Sequence, residues 1–323
     1  MAPRSGTDRN AVRTLSADEV DRLLDYPSLI EAVRNIFKSD AVAPKRDHHQ
    51  VTVPGGADAT LLLMPAWRVG EHIGVKIATV FPDNGQRTLP AVMANYLLLD
   101  GNTGEPRALI DGVSLTRRRT AAASALAASF LAREDARSLL MVGTGALAPQ
   151  LVEAHAAVRP IEKVRVWGRT SAKAAALAGQ LSRLGLEVVA TEEIEIAARQ
   201  SDVICCATLT FEPLVFGEWL RPGTHLDLVG GFTPERREAD DEAVRRSRIF
   251  VDTRAALEEA GDLAQPIEDG LLRPGDVAAD LFDLCRGVAR GRESDEEITL
   301  FKSVGHALED LAAARLAFER AGA

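Results

Sequence analysis

The chain has 323 residues, of which 46% are hydrophobic, 26% charged and 5% aromatic. At roughly 150 residues per domain this suits two domains with ordinary cores and excludes a disordered chain or a small disulfide scaffold. With 38 basic against 47 acidic side chains the net charge is −9, so no global field attracts a polyanion and nucleic acid is not an expected partner. Cys205, Cys206 and Cys285 sit in apolar settings without C-x-x-C spacing, so no metal site is expected and a reducing compartment is the simplest context. The opening MAPRSGTDRNAVRTLS lacks the apolar run of a signal peptide. No stretch approaches the roughly 18 apolar residues of a membrane span, and a cytoplasmic protein without membrane association is expected.

In chain order, Ser16-Ala-Asp-Glu19 is a capping box that opens a helix, and a second amphipathic helix runs from Ser28 to about Phe37. Between Val51 and Ile110 the texture is β-rich: Thr60 to Met64, Ile73 to Phe81, then Met93 to Leu99 and Arg107 to Ile110 as a hairpin around Asp100-Gly-Asn-Thr-Gly104. Thr116 to Leu131 is Ala-rich and helical. Its arginines are bunched in the expected first turn, where they oppose the helix dipole and so invite another explanation.

From Arg137 onward strands and helices alternate. Strands are expected at Ser138 to Val142, Val164 to Trp167, Val188 to Ala190, Asp202 to Ala207, His225 to Val229 and Arg248 to Val251. Helices are expected at Ala146 to Val158, Ala172 to Leu184 and Ile194 to Arg199. Such alternation implies an α/β fold, a Rossmann-type doubly wound parallel sheet with helices on both faces. A last helix, Lys302 to Arg320, has no sheet partner near it in sequence, and its return to the N-terminal part would make that domain discontinuous. The expected division is 1–133 with 303–323 as a discontinuous α+β domain, and 134–302 as the dinucleotide-binding domain.

The strand Leu139-Leu-Met-Val142 runs into Gly143-Thr-Gly145-Ala-Leu-Ala148 and a helix, so the glycines stand where a dinucleotide fingerprint must stand. Gly143 permits the tight turn, Gly145 lets backbone approach a pyrophosphate, and Ala148 takes the close-packed third position. The helix N-terminus supplies oriented N–H groups. At the end of the next strand an NAD-preferring site would carry a carboxylate for the ribose 2′-hydroxyl. This chain has Gly168-Arg169-Thr170-Ser171 with Lys173 beyond. Cations and hydroxyls suit a 2′-phosphate, so NADPH is favoured, with NADH a weaker possibility.

Three cations stand in apolar or β-rich segments: Arg46 ahead of His48-His49, Lys76 within Gly74-Val-Lys-Ile-Ala-Thr79, and Arg119 at the head of the Ala-rich helix. A buried ammonium in mid-strand needs an anion, from the protein or from a ligand. Taken singly, each could equally be an ordinary ion pair or a group facing water.

Together the motifs are more specific. Pro44-x-Arg46, Met64-Pro-Ala66, Gly74-Val-Lys76, Arg119-Thr-Ala-Ala-x-Ser-Ala125, Gly143-x-Gly145, Thr208-Leu209 with Glu212-Pro213, and Phe301-Lys-Ser303 occur in order. Over roughly residues 14 to 318 the chain closely resembles the ornithine cyclodeaminase and mu-crystallin family. The resemblance implies that Arg46, Lys76 and Arg119 gather around a substrate carboxylate as catalytic and binding groups. It implies a homodimer built through the non-Rossmann domain, and that domain as the substrate-binding one. Cofactor contacts are expected from Arg119, Thr120, Gly143, Thr144, Gly145, Ala146, Leu147, Gly168, Arg169, Thr170, Ser171, Lys173, Thr208, Val229 and Ser303.

The informative departure is Val229-Gly-Gly231-Phe232-Thr-Pro234. In the ammonia-releasing cyclodeaminases, and in relatives acting as alanine dehydrogenases, the position of Phe232 is an Asp that handles the substrate amine. Phenylalanine can neither accept a proton nor pair with an ammonium. The resemblance is greatest to bacterial 1-pyrroline-2-carboxylate and 1-piperideine-2-carboxylate reductases, including Leu226-Asp-Leu-Val229, Arg237-Glu-Ala-Asp240 and Ser303-Val-Gly305. It implies NADPH-dependent reduction of a cyclic ketimine acid to L-proline or L-pipecolate, with Phe232 as an apolar wall in the substrate site. Lys76, a water, or one of His48 and His49 would supply the proton, and adjacent strand residues point to opposite faces, so at most one histidine can serve. The alternatives are a cyclodeaminase-type lyase that recycles its NAD, and a non-catalytic NADPH-dependent small-ligand binder of mu-crystallin type.

Overall fold

The computed structural model describes residues 12–322. Residues 1–11 of the polar opening lie outside the described residues. The described chain divides into two compact units: residues 12–25, 40–118 and 307–322 form the first, and 26–39 and 119–306 the second. Among the described residues no helix is long and apolar enough to cross a membrane.

The first unit is built on six strands, β1 (Arg13–Leu15), β2 (Asp47–Val51), β3 (Ala59–Arg68), β4 (His72–Val80), β5 (Val92–Asp100) and β6 (Pro106–Asp111), in the order β1-β6-β5-β4-β3-β2. Only the β1–β6 pair is parallel. Period-two burial follows from one covered face: Gly74, Lys76 and Ala78 on β4 and Tyr96 and Leu98 on β5 are buried. The helix Ala307–Ala321 packs on β3, β4 and β5. The capping box at Ser16 forms as expected, with Glu19 reaching back to the Ser16 backbone and opening the helix Ala17–Leu23. The hairpin joins β5 and β6 as expected, but the edge strands β1 and β2 carry no apolar alternation that the sequence reading could detect.

The second unit holds eight parallel strands: β7 (Ser138–Val142), β8 (Lys163–Trp167), β9 (Glu187–Ala190), β10 (Val203–Cys206), β11 (His225–Leu228), β12 (Arg248–Val251), β13 (Ala279–Asp280) and β14 (Thr299–Lys302). Their order is β13-β12-β14-β11-β10-β7-β8-β9. Every residue of β10, β11 and β14 is buried, which is why these strands read as continuous rather than alternating patterns. The chain runs outward from β7 through β8 to β9, then returns to β10 and continues the other way, so the switch point lies between β7 and β10.

Three local differences have physical causes. The final helix does not begin at Lys302: Thr299–Lys302 is the buried strand β14 between β11 and β12, and the helix starts at Ala307. A four-residue strand buried on both faces cannot be told from a helical turn by periodicity. The Ala-rich helix spans Gly112–Leu131, so its arginines stand in the second turn, beyond the strongest dipole effect. Finally, Tyr26–Ser39, 119–133 and 303–306 belong to the second unit and not to the first. The helix Tyr26–Lys38 packs on helices Ala148–Val158 and Leu281–Arg286, Tyr26 Oη donates to Gln150 (2.7 Å), and Arg34 donates to Ser129 (3.1 Å).

The segment from Arg119 to Leu131 is fixed by the carboxylate of Asp227 on β11. Asp227 accepts from Ser124 Oγ on that segment at 3.2 Å and lies 3.0 Å from His155 Nε2 on the helix Ala148–Val158, all three side chains being buried. Buried polar groups that satisfy one another in this way specify one position for the helix that starts at Arg119.

Candidate functional site

A cleft of about 280 Å³ opens at the carboxyl ends of β7, β8 and β10, the place where open parallel sheets bind ligands. Gly143, Thr144 and Gly145 line it after β7; Gly168, Arg169, Thr170 and Lys173 after β8; and Thr208 after β10. Trp167, Ala207, Leu209, Thr210 and Leu214 complete the wall. Ala146 and Leu147 stand on the same loop but do not line the cleft.

Gly143 has φ +118°, and a β-carbon there would stand 2.6 Å from Ala207 O. A β-carbon on Gly145 would meet nothing within 4 Å, so the backbone here is open to close approach by a ligand. The helix Ala148–Val158 begins beside this loop with no side-chain cap and no acidic residue in its first turn, so its positive dipole end faces an anion without a competing carboxylate on the helix. The side chains of Arg169 and Lys173 are exposed and make no hydrogen bond or ion pair among the described residues. No carboxylate lines the cleft. A dinucleotide with its pyrophosphate on the glycine loop fits these residues. The Ser171 hydroxyl donates to Glu192 at 2.7 Å, and the residue does not line the cleft.

Gly143→Ala tests this loop. It is expected to destabilise the protein by about 1–3 kcal/mol, because an alanine must be held in a strained conformation against a carbonyl, and to weaken dinucleotide binding about tenfold. Thermal denaturation and a fluorescence titration with NADH measure the two effects. Unchanged values would show that the loop accepts a side chain.

Of the expected substrate-side cations, Lys76 and Arg46 lie in the first unit and Arg119 in the second. Lys76 is 4% exposed at the centre of β4, and the anion it requires is Asp310 on the helix Ala307–Ala321, with Nζ to Oδ2 2.8 Å. Thr116 Oγ1 is 3.5 Å from the same Nζ. Arg46 is half-buried just before β2. His48 and His49 are exposed on β2. His48 pairs with Leu62 and that residue with Ala78, which places it on the face of Lys76, whereas His49 pairs with Leu61 on the other face. Arg119 is 5% exposed, its guanidinium packed on Gly305 so closely that a β-carbon there would be 2.4 Å from a terminal nitrogen. Thr120 follows it, half-buried.

Val229 and Ser303 are buried just beyond β11 and β14, where their N–H groups donate to Cys206 O (2.8 Å) and Leu228 O (3.2 Å). Asp252 holds the turn after Ser303 by accepting from the N–H groups of Val304 (2.8 Å) and Gly305 (2.6 Å). Phe232 is half exposed in the loop after β11, its ring not packed into the core.

Residues 10–323 match the model of the ornithine cyclodeaminase/mu-crystallin family. The chain belongs to this family. It is 39% identical to Protein SAR DEFICIENT 4 of Arabidopsis thaliana over 94% of this chain and 96% of that one. It is 36% identical to the Delta(1)-pyrroline-2-carboxylate reductase of Colwellia psychrerythraea over 96% and 99%. Among solved structures, Thermococcus litoralis Delta(1)-pyrroline-2-carboxylate reductase, in complex with NADH and L-proline, superposes with a TM-score of 0.89 at 36% identity, covering 96% of this chain and 97% of that one. An archaeal alanine dehydrogenase dimer with bound NAD gives a TM-score of 0.88 at 30% identity over 96% of each chain.

In this member of the ornithine cyclodeaminase/mu-crystallin family one charged group behind the cleft was missed by sequence reasoning. Glu238, Asp262 and Lys302 are all fully buried. Glu238 accepts from both the backbone N–H and the hydroxyl of Thr208, and Lys302 Nζ is 3.0 Å from Asp262 Oδ2. Burial pushes the Glu238 carboxyl up to about 7, against the pull of the Lys302 ammonium and with a further push from Asp262. The signal was available: Lys302, like Lys76, is an ammonium within a short apolar run, and such a residue needs a buried anion.

Proposed function

We propose that this protein reduces cyclic ketimine carboxylates, 1-pyrroline-2-carboxylate foremost, to the corresponding L-imino acids with a reduced nicotinamide dinucleotide. It is an NAD(P)H-dependent oxidoreductase acting on C=N bonds. The observation that carries the reading is the anion-ready dinucleotide cleft, to which the family resemblance adds Phe232 at the position where it implies a carboxylate in ammonia-releasing members. The second unit binds the dinucleotide, and the first supplies substrate-binding residues and the dimer interface.

The bound nicotinamide supplies a hydride to the imine carbon. Arg46, Lys76 and Arg119 bind and orient the substrate carboxylate, so that the planar C=N carbon is presented to the hydride donor and the reaction is effectively unimolecular. Lys76 acts from a rigid strand with its charge balanced by Asp310. Its ammonium, a water, or His48 on the same sheet face delivers the proton that the imine nitrogen takes up. Phe232 excludes water from the ring methylenes. The test is a steady-state comparison of the five- and six-membered cyclic imines, each with NADH and with NADPH. Loss of NADPH or NADH absorbance with neither imine overturns the reading in favour of a lyase or a ligand binder.

Cofactor choice rests on Arg169 and Lys173 at the cleft and on the absence of a lining carboxylate, which together favour NADPH. Arg169→Ala is expected to weaken NADPH by about tenfold to a hundredfold, the loss of a charge-assisted contact worth about 1.5–3 kcal/mol, while NADH binding changes little. Equal losses in fluorescence titrations with the two cofactors would remove Arg169 from the 2′-phosphate.

A homodimer is part of the same proposal. The sheet face of the first unit opposite the final helix carries Leu63 paired with Ile77, Pro65 with Val75, and Val75 with Leu97, itself paired with Leu109. Ile77, Met93 and Leu109 are each about 40% exposed. An apolar sheet face of this kind calls for a covering partner, and a second copy presenting the same face satisfies twofold symmetry.

A further inference from the structure

The loop after β10 forms one wall of the cleft through Ala207, Thr208 and Leu209, and Thr208 has an unusual anchor. Its N–H and its hydroxyl converge on a single oxygen, Oε1 of Glu238, at 2.6 and 2.7 Å. The other Glu238 oxygen has no hydrogen-bond partner among the described residues. Glu238 is held from behind. Oδ1 of Asp262 accepts from the N–H groups of Glu238 (2.6 Å) and Ala239 (3.1 Å), while Oδ2 of Asp262 pairs with Lys302. Lys302 Nζ in turn donates to Gly230 O. Gly230 closes the ring: a β-carbon there would stand 2.0 Å from Thr208 O and 2.6 Å from Glu238 Oε1. Three buried charged side chains thus fix two neighbouring loops, one after β10 and one after β11.

Burying two carboxylates and one ammonium is costly, and hydrophobic residues of like volume would serve mere stability as well or better. What such a ring does provide is a single position for the groups it hydrogen-bonds. We infer that Glu238 is a positioning residue of the dinucleotide cleft, acting through Thr208, with Asp262 and Lys302 holding it in register. The inference rests on the dinucleotide reading of the cleft. Glu238 itself touches neither cofactor nor substrate.

The experiment uses the full-length protein and measures dissociation constants for NADH and NADPH by fluorescence titration, with thermal midpoints recorded alongside. Glu238→Ala removes the acceptor and is expected to weaken both cofactors about tenfold or more and by the same factor, leaving their ratio as in the parent, unlike Arg169→Ala. Glu238→Gln keeps an oxygen acceptor for both Thr208 donors and is expected to recover most of the affinity, within about threefold of the parent. Thr208→Val removes one of the two bonds while keeping the cleft's shape, and about threefold to tenfold weaker binding is expected; this variant decides the matter where Glu238→Ala does not fold. Parent-like binding by Glu238→Ala or Thr208→Val overturns the inference, as does a Gln variant no better than the Ala variant. A parent protein that binds neither cofactor overturns the dinucleotide reading itself, a distinct result.

Discussion

Arg119→Met is expected to lower kcat/KM on 1-pyrroline-2-carboxylate by about a hundredfold or more without unfolding the protein. The guanidinium is 5% exposed and packed on Gly305, so it acts in a largely desolvated setting, where losing one charged partner of a bound carboxylate costs about 2–5 kcal/mol. The segment that carries it has its own anchors, independent of the arginine: Ser124 on Asp227, and a run of buried alanines from Ala121 to Ala128. Methionine retains the length and apolar volume of the side chain's stem. Steady-state kinetics with saturating cofactor, paired with a circular dichroism melt, measures both effects. A fully active variant would show that Arg119 does not bind the carboxylate, and a variant that fails to fold would assign the residue to structure.

The parallel sheet was legible because its strands are short apolar runs bounded by turn residues, and all six expected strands match within a residue at each boundary. β14 was not legible. Its four residues run directly toward the final helix, and only pairing with β11 and β12, far away in sequence, decides their conformation. The edge strand β2, with the sequence Asp-His-His-Gln-Val, is a strand solely because β3 offers it a register. The assignment of Tyr26–Ser39 to the second unit depends on long-range packing of the same kind, for which an amphipathic stripe specifies burial but not the partner.

The site divides in the same way. The glycine loop and Arg169 announce their chemistry locally, since a positive-φ glycine after a strand and a cation after the next one are properties of adjacent residues. Lys76 announced only a need, and Asp310, 234 positions further along the chain, meets it. Glu238 stood within the Arg237-Glu-Ala-Asp240 resemblance but announced no role. A glutamate following Arg237 and preceding Ala239 looks like surface until the fold buries it against Thr208. Residues whose role is to hold another residue are legible only through that other residue's position.

The last expected result concerns Phe232 and separates the reductase from its ammonia-releasing relatives. The unmodified protein should consume NADPH or NADH with a cyclic imino acid and release no ammonia from ornithine in the presence of NAD. An aromatic ring at this position offers no base for the amine and no counter-charge for an ammonium, whereas a neutral or protonated ring imine needs neither. Phe232 stands in the loop after β11 that follows Gly230, whose carbonyl is held by Lys302, so the side chain is presented from a fixed backbone. Phe232→Asp should therefore leave the fold intact, the ring being 53% exposed and outside the core. It should lower imine reduction by about tenfold or more, because a new carboxylate near the substrate's own carboxylate repels it and the apolar wall is lost. It should not confer ammonia release, since a carboxylate alone does not rebuild a pocket shaped around a ring. The measurement pairs an ammonia assay on ornithine plus NAD with the absorbance of reduced cofactor on each imine, for both proteins. Ammonia production by the unmodified protein, without imine-dependent cofactor oxidation, would place the chain's chemistry with the cyclodeaminases and detach Phe232 from the choice of reaction.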